Sequence, residues 1–348
     1  MDITASAFYS GLRVMLFVCE TLGCPFAGSV RTPKSADNRR STFKFLCHVA
    51  FSVVCLLLTC LPALSFVMLR LWHNGPANRL NSVTRSGLYV VVYSQALLSF
   101  LNMALRRAQL AEIARGAAEI ERRLRVDPRR VRRRLRKVSL WCLAYCVVDA
   151  LKLFVGVGIN GVSEVFSQAG LSEPVKWLFL PSHFASCVII AAWYNMALWQ
   201  IAYFSSTLAQ YFSALSDSLE DGLRSSQSSW TVTDERVRAA TEEARANLVE
   251  LQKLINKVDV FVGIQGLWCY AGSVFFLCAT LYTVVISDTS TADIVLRLSH
   301  VAIMAAGIVL STEASGRMSG EVRGYASICV DALRFRRPQA CHSQMNLP

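Results

Sequence analysis

The recurrence of apolar blocks, each long enough to cross a lipid bilayer, most restricts what this chain can fold into. They run over about 45–69, 88–105, 138–159, 177–204, 260–286 and 294–310. At about 1.5 Å of helix per residue, about 20 such residues cross the roughly 30 Å hydrocarbon core. Backbone N–H and C=O groups in hydrocarbon must be satisfied within the segment, so each block reads as a helix. The expected fold is therefore an all-α membrane protein with about six transmembrane helices.

Composition supports this reading: of 348 residues, 53% are hydrophobic and only 17% charged, well beyond the apolar share of an ordinary soluble domain. The chain carries a net charge of +12, which in isolation suggests a nucleic-acid partner. Its basic residues, however, lie in alternate connections between apolar blocks: before Phe45, from Arg106 to Lys137, after Phe204 and beyond Glu313. The positive-inside rule puts these four regions together in the cytoplasm, and the amino terminus with them. No nucleic-acid partner is expected.

The predicted organisation has a cytoplasmic amino-terminal segment (1–44), a six-helix transmembrane domain (45–313) and a polar cytoplasmic tail (314–348). Phe8 to Gly23 is interrupted by Arg13 and Glu20, so it predicts an interfacial or cytoplasmic helix and not a signal peptide. Between Arg106 and Lys137, apolar residues at helical spacing (Leu110, Ile113, Ala117, Ile120, Leu124) predict a helical hairpin turning near Asp127 and Pro128. Likewise, 205–258 reads as two long cytoplasmic helices parted by a Ser-rich break at Ser225 to Ser229.

The arginine run Arg129 to Lys137 abuts the third block, where it serves as a topology anchor or as a contact for anionic lipid. Within that block, Asp149 and Lys152 are one helical turn apart and can neutralise each other. Intramembrane charges mark either structural pairing or ligand contact. Arg297 and His300 form a second polar face in the sixth block, and His183 lies in the fourth. Near the interface such an arginine can also snorkel to water. Aromatic residues including Trp193, Phe276 and Tyr282 either line a pocket or pack between helices.

The 12 cysteines fall inside apolar blocks or in segments assigned to the cytoplasm, and the five histidines are scattered, so neither disulfides nor a metal site is expected. The sequence has no phosphate loop, no Ser/His/Asp arrangement and no acidic dyad. Nothing suggests an enzyme, catalytic residues or a cofactor.

An inside amino terminus, short outer loops and long helical inner loops together resemble the arthropod gustatory receptor family, relatives of the insect odorant receptors. The segment Gly23, Cys24, Pro25, Phe26 resembles a Gly-x-Pro-Phe stretch before the family's first span. The run from Asn247 through Leu251, Leu254, Ile255, Asn256, Val260, Phe261 and Gly263 is similar to the helix leading into its fifth. This resemblance implies a plasma-membrane, ligand-gated cation channel assembled as a homo- or hetero-tetramer, with a small-molecule ligand held in the outer half of each bundle. By position, it implies Asp149, Lys152, His183, Trp193, Phe276, Tyr282, Arg297 and His300 as ligand-binding candidates. The family's seventh span, with its Thr-Tyr and Gln-Phe signature, does not occur within Tyr325 to Pro348, so a truncated or alternatively spliced product lacking the pore helix is expected. The alternatives are a secondary transporter and a G-protein-coupled receptor, the latter requiring the opposite orientation.

Overall fold

The structure, a computed structural model, describes residues 6–22, 79–154, 173–227, 233–286 and 291–343, together with the isolated residues Ala50 and Val54. The described residues form seven helices and no strand: α1 (Ala7–Thr21), α2 (Arg79–Leu105), α3 (Arg107–Arg123), α4 (Pro128–Leu153), α5 (Glu173–Gln227), α6 (Thr233–Ile286) and α7 (Thr291–Ser343). Apart from Ala50 and Val54, the first apolar block lies outside the described residues, as does the Gly23 to Phe26 segment.

Local chemistry accounts for the helix ends at one end of the bundle. Ser6 caps α1 by accepting the Tyr9 N–H at 3.2 Å. Asp127 caps α4 by accepting the Arg129 N–H at 2.9 Å, with Pro128 in the first turn, where its missing N–H costs nothing. The hairpin between α3 and α4 turns where the sequence predicts. Arg125 sits there at a φ of 47°, while Val126 N–H reaches the Glu121 carbonyl and Arg125 N–H the Arg122 carbonyl. That pattern is a Schellman motif, with an arginine where glycine would be unstrained.

Around α5 the other helices assemble. It packs against α2, α4, α6 and α7, and residues 190–200 are buried on every side. The amphipathic α1 packs against α3 and α4, burying Leu12, Met15 and Cys19, while its Phe8 ring meets Tyr203 and Phe204 of α5. Gly11 is the point of closest approach: a Cβ there would lie 2.7 Å from the Tyr203 hydroxyl oxygen and 2.8 Å from Leu135 Cβ.

Among the described residues, two helices carry stretches long and apolar enough to cross a membrane, Cys187–Arg224 in α5 and Val237–Tyr282 in α6, and α2 carries the shorter apolar stretch Val90–Leu105. The fourth, fifth and second predicted blocks overlap these three. α4 accounts for the start of the third block, whose end lies outside the described residues, and the sixth falls within α7. The polar stretch beyond Glu313 continues α7 without interruption through Ser343, supported by the Glu313–Arg317 ion pair one turn apart. Similarly, the helices predicted between 205 and 258 prolong α5 and α6 beyond their apolar parts; α5 continues helical through Gln227, past the start of the break predicted at Ser225 to Ser229, the rest of which lies outside the described residues.

Candidate functional site

The charged pair read from the third block is buried between helices. Asp149 on α4 is 1% exposed, and its Oδ1 accepts from Lys152 Nζ at 3.3 Å. Across the interface, Asn195 of α5 donates Nδ2 to Asp149 Oδ2 at 2.7 Å and to its own helix's Ala191 carbonyl at 2.8 Å. Both carboxylate oxygens are thus engaged, each by a different helix. The amide oxygen of Asn195 is buried without a hydrogen-bond partner, and the Lys152 ammonium has more donors than its single bond to Asp149 uses. The group thus carries an unused acceptor on Asn195 and unused cationic donors on Lys152.

Tyrosines tie this group to α7. Tyr145, one turn before Asp149, donates its hydroxyl to the Ile303 carbonyl at 2.8 Å, and the Tyr194 hydroxyl lies 3.3 Å from Met304 Sδ. Gly307 permits this closeness, since a Cβ would stand 2.7 Å from the Tyr145 oxygen and 2.9 Å from Leu198 Cδ1. The site is therefore bounded by α4, α5 and α7.

Of the eight candidates read from sequence, Asp149 and Lys152 come together. Trp193 turns to another side of α5, where its ring packs edge-on against Phe100 of α2 at 5.2 Å. Phe276 is buried in the core of the bundle and Tyr282 is half-buried on α6. The side chains of His183 on α5 and of Arg297 and His300 on α7 lie outside the described residues. Sequence reasoning missed Asn195 and Tyr145, while Tyr194 was among the aromatic residues read as lining a pocket or packing between helices. A signal for Asn195 existed, because an amide inside an apolar block needs a polar partner at the same depth.

A second polar group joins α2 and α6. Asn102 Nδ2 donates to Gln265 Oε1 at 2.7 Å and to the Phe261 carbonyl at 3.0 Å, while Gln265 Nε2 donates to Ser99 Oγ at 2.8 Å. It consists of neutral amides and a hydroxyl, the hydrogen bonding by which helices associate in lipid.

At the basic end, a third group fastens α1. The Glu121 carboxylate of α3 accepts the Ala7 and Phe8 backbone N–H groups, both at 2.8 Å, and the Tyr211 hydroxyl of α5 at 3.0 Å. These N–H groups have no partner inside the helix, and the carboxylate also suits the positive end of the helix dipole. Tyr211 is fully buried, and its hydroxyl points at the carboxylate as a donor. The Tyr203 hydroxyl donates to the Phe8 carbonyl, adding a second bond between α5 and the same turn.

Among the described residues, no three His, Cys, Asp or Glu side chains gather as metal ligands would. The chemistry on offer at the Asp149 group is recognition by charge and hydrogen bonding within an apolar bundle.

Comparison with known proteins places this geometry. Among solved structures, the insect olfactory receptor OR5 from Machilis hrabei is similar in fold, with a TM-score of 0.64 at 13% identity, covering 97% of this chain and 88% of that one. No curated protein matches. The family model described as 7tm chemosensory receptor matches residues 12–346. The relationship to insect chemosensory receptors read from the architecture thus holds, and the chain belongs to the 7tm chemosensory receptor family.

Proposed function

We propose that this chain is a gustatory-type receptor subunit of the plasma membrane, in which a small-molecule tastant bound among α4, α5 and α7 gates a cation pore in a tetramer of related subunits. The observation that carries this reading is the Asp149–Lys152–Asn195 group. Replacing a buried ion pair by well-packed apolar side chains is often neutral or stabilising, so stability alone gives weak reason to keep one. A ligand that uses the open Lys152 donors and the Asn195 amide oxygen supplies a stronger reason. Such a ligand is compact and carries both acceptor and donor groups, as polyols and zwitterions do.

The six-span count, the cytoplasmic amino terminus and the boundaries 1–44, 45–313 and 314–348 belong to the same proposal and rest on the distribution of basic residues. A glycosylated amino-terminal tag would overturn that orientation and favour a G-protein-coupled receptor. His183, Trp193, Phe276, Tyr282, Arg297 and His300 are proposed as the wider lining of the pocket by position alone.

Ligand-evoked current in cells expressing the chain, alone and with a related subunit that has a seventh span, tests the function. Lys152→Met is expected to raise the half-maximal ligand concentration by tenfold or more, and Asp149→Leu with Lys152→Met to abolish the response while surface expression persists. A double variant that responds like the parent would reduce the pair to packing. Substrate uptake without current would favour a secondary transporter.

A further inference from the structure

The outward face of α4 changes character along its length, from cationic to apolar, without turning. Leu140, Trp141, Val147, Val148 and Leu151 are all exposed large hydrophobic residues, and Trp141 is 70% exposed. At 100° per residue Trp141, Val148 and Leu151 share one face with Arg130, Arg133, Arg134 and Lys137, which are exposed in the preceding turns, and Leu140 and Val147 lie at its edge. The opposite face, Val131, Leu135, Ser139 and Cys146, is buried in the bundle, where Ser139 Oγ donates to the Gly11 carbonyl of α1 at 3.3 Å. Among the described residues, α1 packs on that inner side and leaves the outward stripe exposed.

The cations of this stripe have no acidic partner among the described residues. Arg122 and Arg123 on α3 bind Glu119 at 2.7 and 2.9 Å, and their hydrogen bonds hold its carboxyl below the usual carboxylate range. By contrast, Arg130, Arg133, Arg134 and Lys137 form no ion pair with any described residue, nor do Arg129, Arg132 and Arg136 on the flank. Between Asp127 and Asp149 the chain has no acidic residue, and the Asp127 carboxylate is already occupied by a backbone N–H.

We propose that this stripe is a binding site for a phospholipid with a multiply phosphorylated headgroup, its phosphates on Arg130, Arg133, Arg134 and Lys137 and its acyl chains along Trp141, Val148 and Leu151. Arg130 to Lys137 extends over about 10 Å of helix, enough for more than one phosphate. Three of the four cations of the stripe are arginines, whose fork of donors matches phosphate oxygens in pairs, whereas an anchor for topology needs charge alone. The indole of Trp141 marks the change from polar to hydrocarbon surroundings, where such rings concentrate. This site is separate from the Asp149 group and does not depend on the receptor reading.

The test uses the purified full chain in neutral detergent, with apparent melting temperature and native mass spectrometry as readouts. Its probes are dioctanoyl phosphatidylinositol bisphosphate, dioctanoyl phosphatidylcholine and soluble inositol trisphosphate. Saturable binding and a raised melting temperature are expected with the first and not with the second. Affinity should fall tenfold or more in the variant combining Arg130→Gln, Arg133→Gln, Arg134→Gln and Lys137→Gln. A charge-matched control combining Arg238→Gln, Arg245→Gln, Arg317→Gln and Arg323→Gln should bind as the parent does. Trp141→Ala should weaken the lipid and leave the soluble headgroup unchanged. Equal binding of the bisphosphate lipid and phosphatidylcholine overturns the proposal even where the quadruple variant fails to fold. So does equal loss in the control, or soluble headgroup binding as tightly as the lipid. Calcium-dependent capture of calmodulin by this stripe, without a lipid response, would assign it to a protein partner instead.

Discussion

α5 and α6 are the two long apolar helices of the described chain, and they are apolar for different reasons. In the most apolar 18 residues of α5, 83% are buried inside the bundle, against 39% in those of α6. Trp199, Tyr203 and Leu198 of α5 meet protein on all sides, whereas Ile264, Leu267, Val274 and Leu281 of α6 turn outward. The buried face of α6 still carries its one amide cluster, Gln265 with Asn102 and Ser99. A central helix is apolar because every side must fill packed space; a peripheral one is apolar because lipid or a neighbouring subunit covers it. Hydropathy treats these alike, and only neighbours separate them.

The largest expected difference comes from truncating a large side chain on each helix. Trp199→Ala should cost about 3–5 kcal/mol, and Leu267→Ala less than about 0.5 kcal/mol, read from melting of the protein in nanodiscs. Equal losses would mean that α6 is packed by a partner over its outer face. Next are the anchors of the two polar extensions. Glu121→Ala, which frees Tyr211 of α5 and the start of α1, should destabilise by about 1.5–3 kcal/mol. Lys257→Ala on α6, which removes an exposed 3.3 Å pair with Glu112, should change stability by less than about 0.5 kcal/mol.

Glycines should respond with opposite signs. A Cβ on Gly222 of α5 would lie 2.8 Å from Ala240 Cβ, so Gly222→Ala should lose about 1–3 kcal/mol through overpacking. On Gly263 of α6 the nearest atom would be Asp259 Oδ1 at 3.7 Å, so Gly263→Ala should gain up to about 1 kcal/mol of helix propensity. Thermal melts of both variants would show whether α6 is as open as its exposed residues indicate. Outside both helices, Arg125→Gly should gain about 1 kcal/mol by relieving its left-handed backbone, and calibrates the melts.

Much of the candidate site was legible because charge is rare in apolar sequence. Asp149 and Lys152 stand out at helical spacing, and the structure pairs them. Asn195 was legible in principle, as an amide needing a partner, but which helix supplies that partner depends on how α5 is rotated against α4. Trp193 shows the limit: two residues away on α5, it faces α2 instead. The Glu121 group could not be read at all, because its partners lie 113, 114 and 90 residues away in the chain and involve backbone N–H groups.

Block length, helical periodicity and the Asp127–Pro128 cap are local properties, so the sequence alone determined the helical class and the hairpin between α3 and α4. It could not determine that α7 runs unbroken from Thr291 to Ser343, because hydropathy drops beyond Glu313 while helical hydrogen bonding continues. Tertiary structure decided which apolar helix is central, which polar groups meet, and which arginines stay unpaired. Each of those outcomes depends on contacts between segments far apart in the chain, whose energies exist only once the helices are rotated and packed against one another.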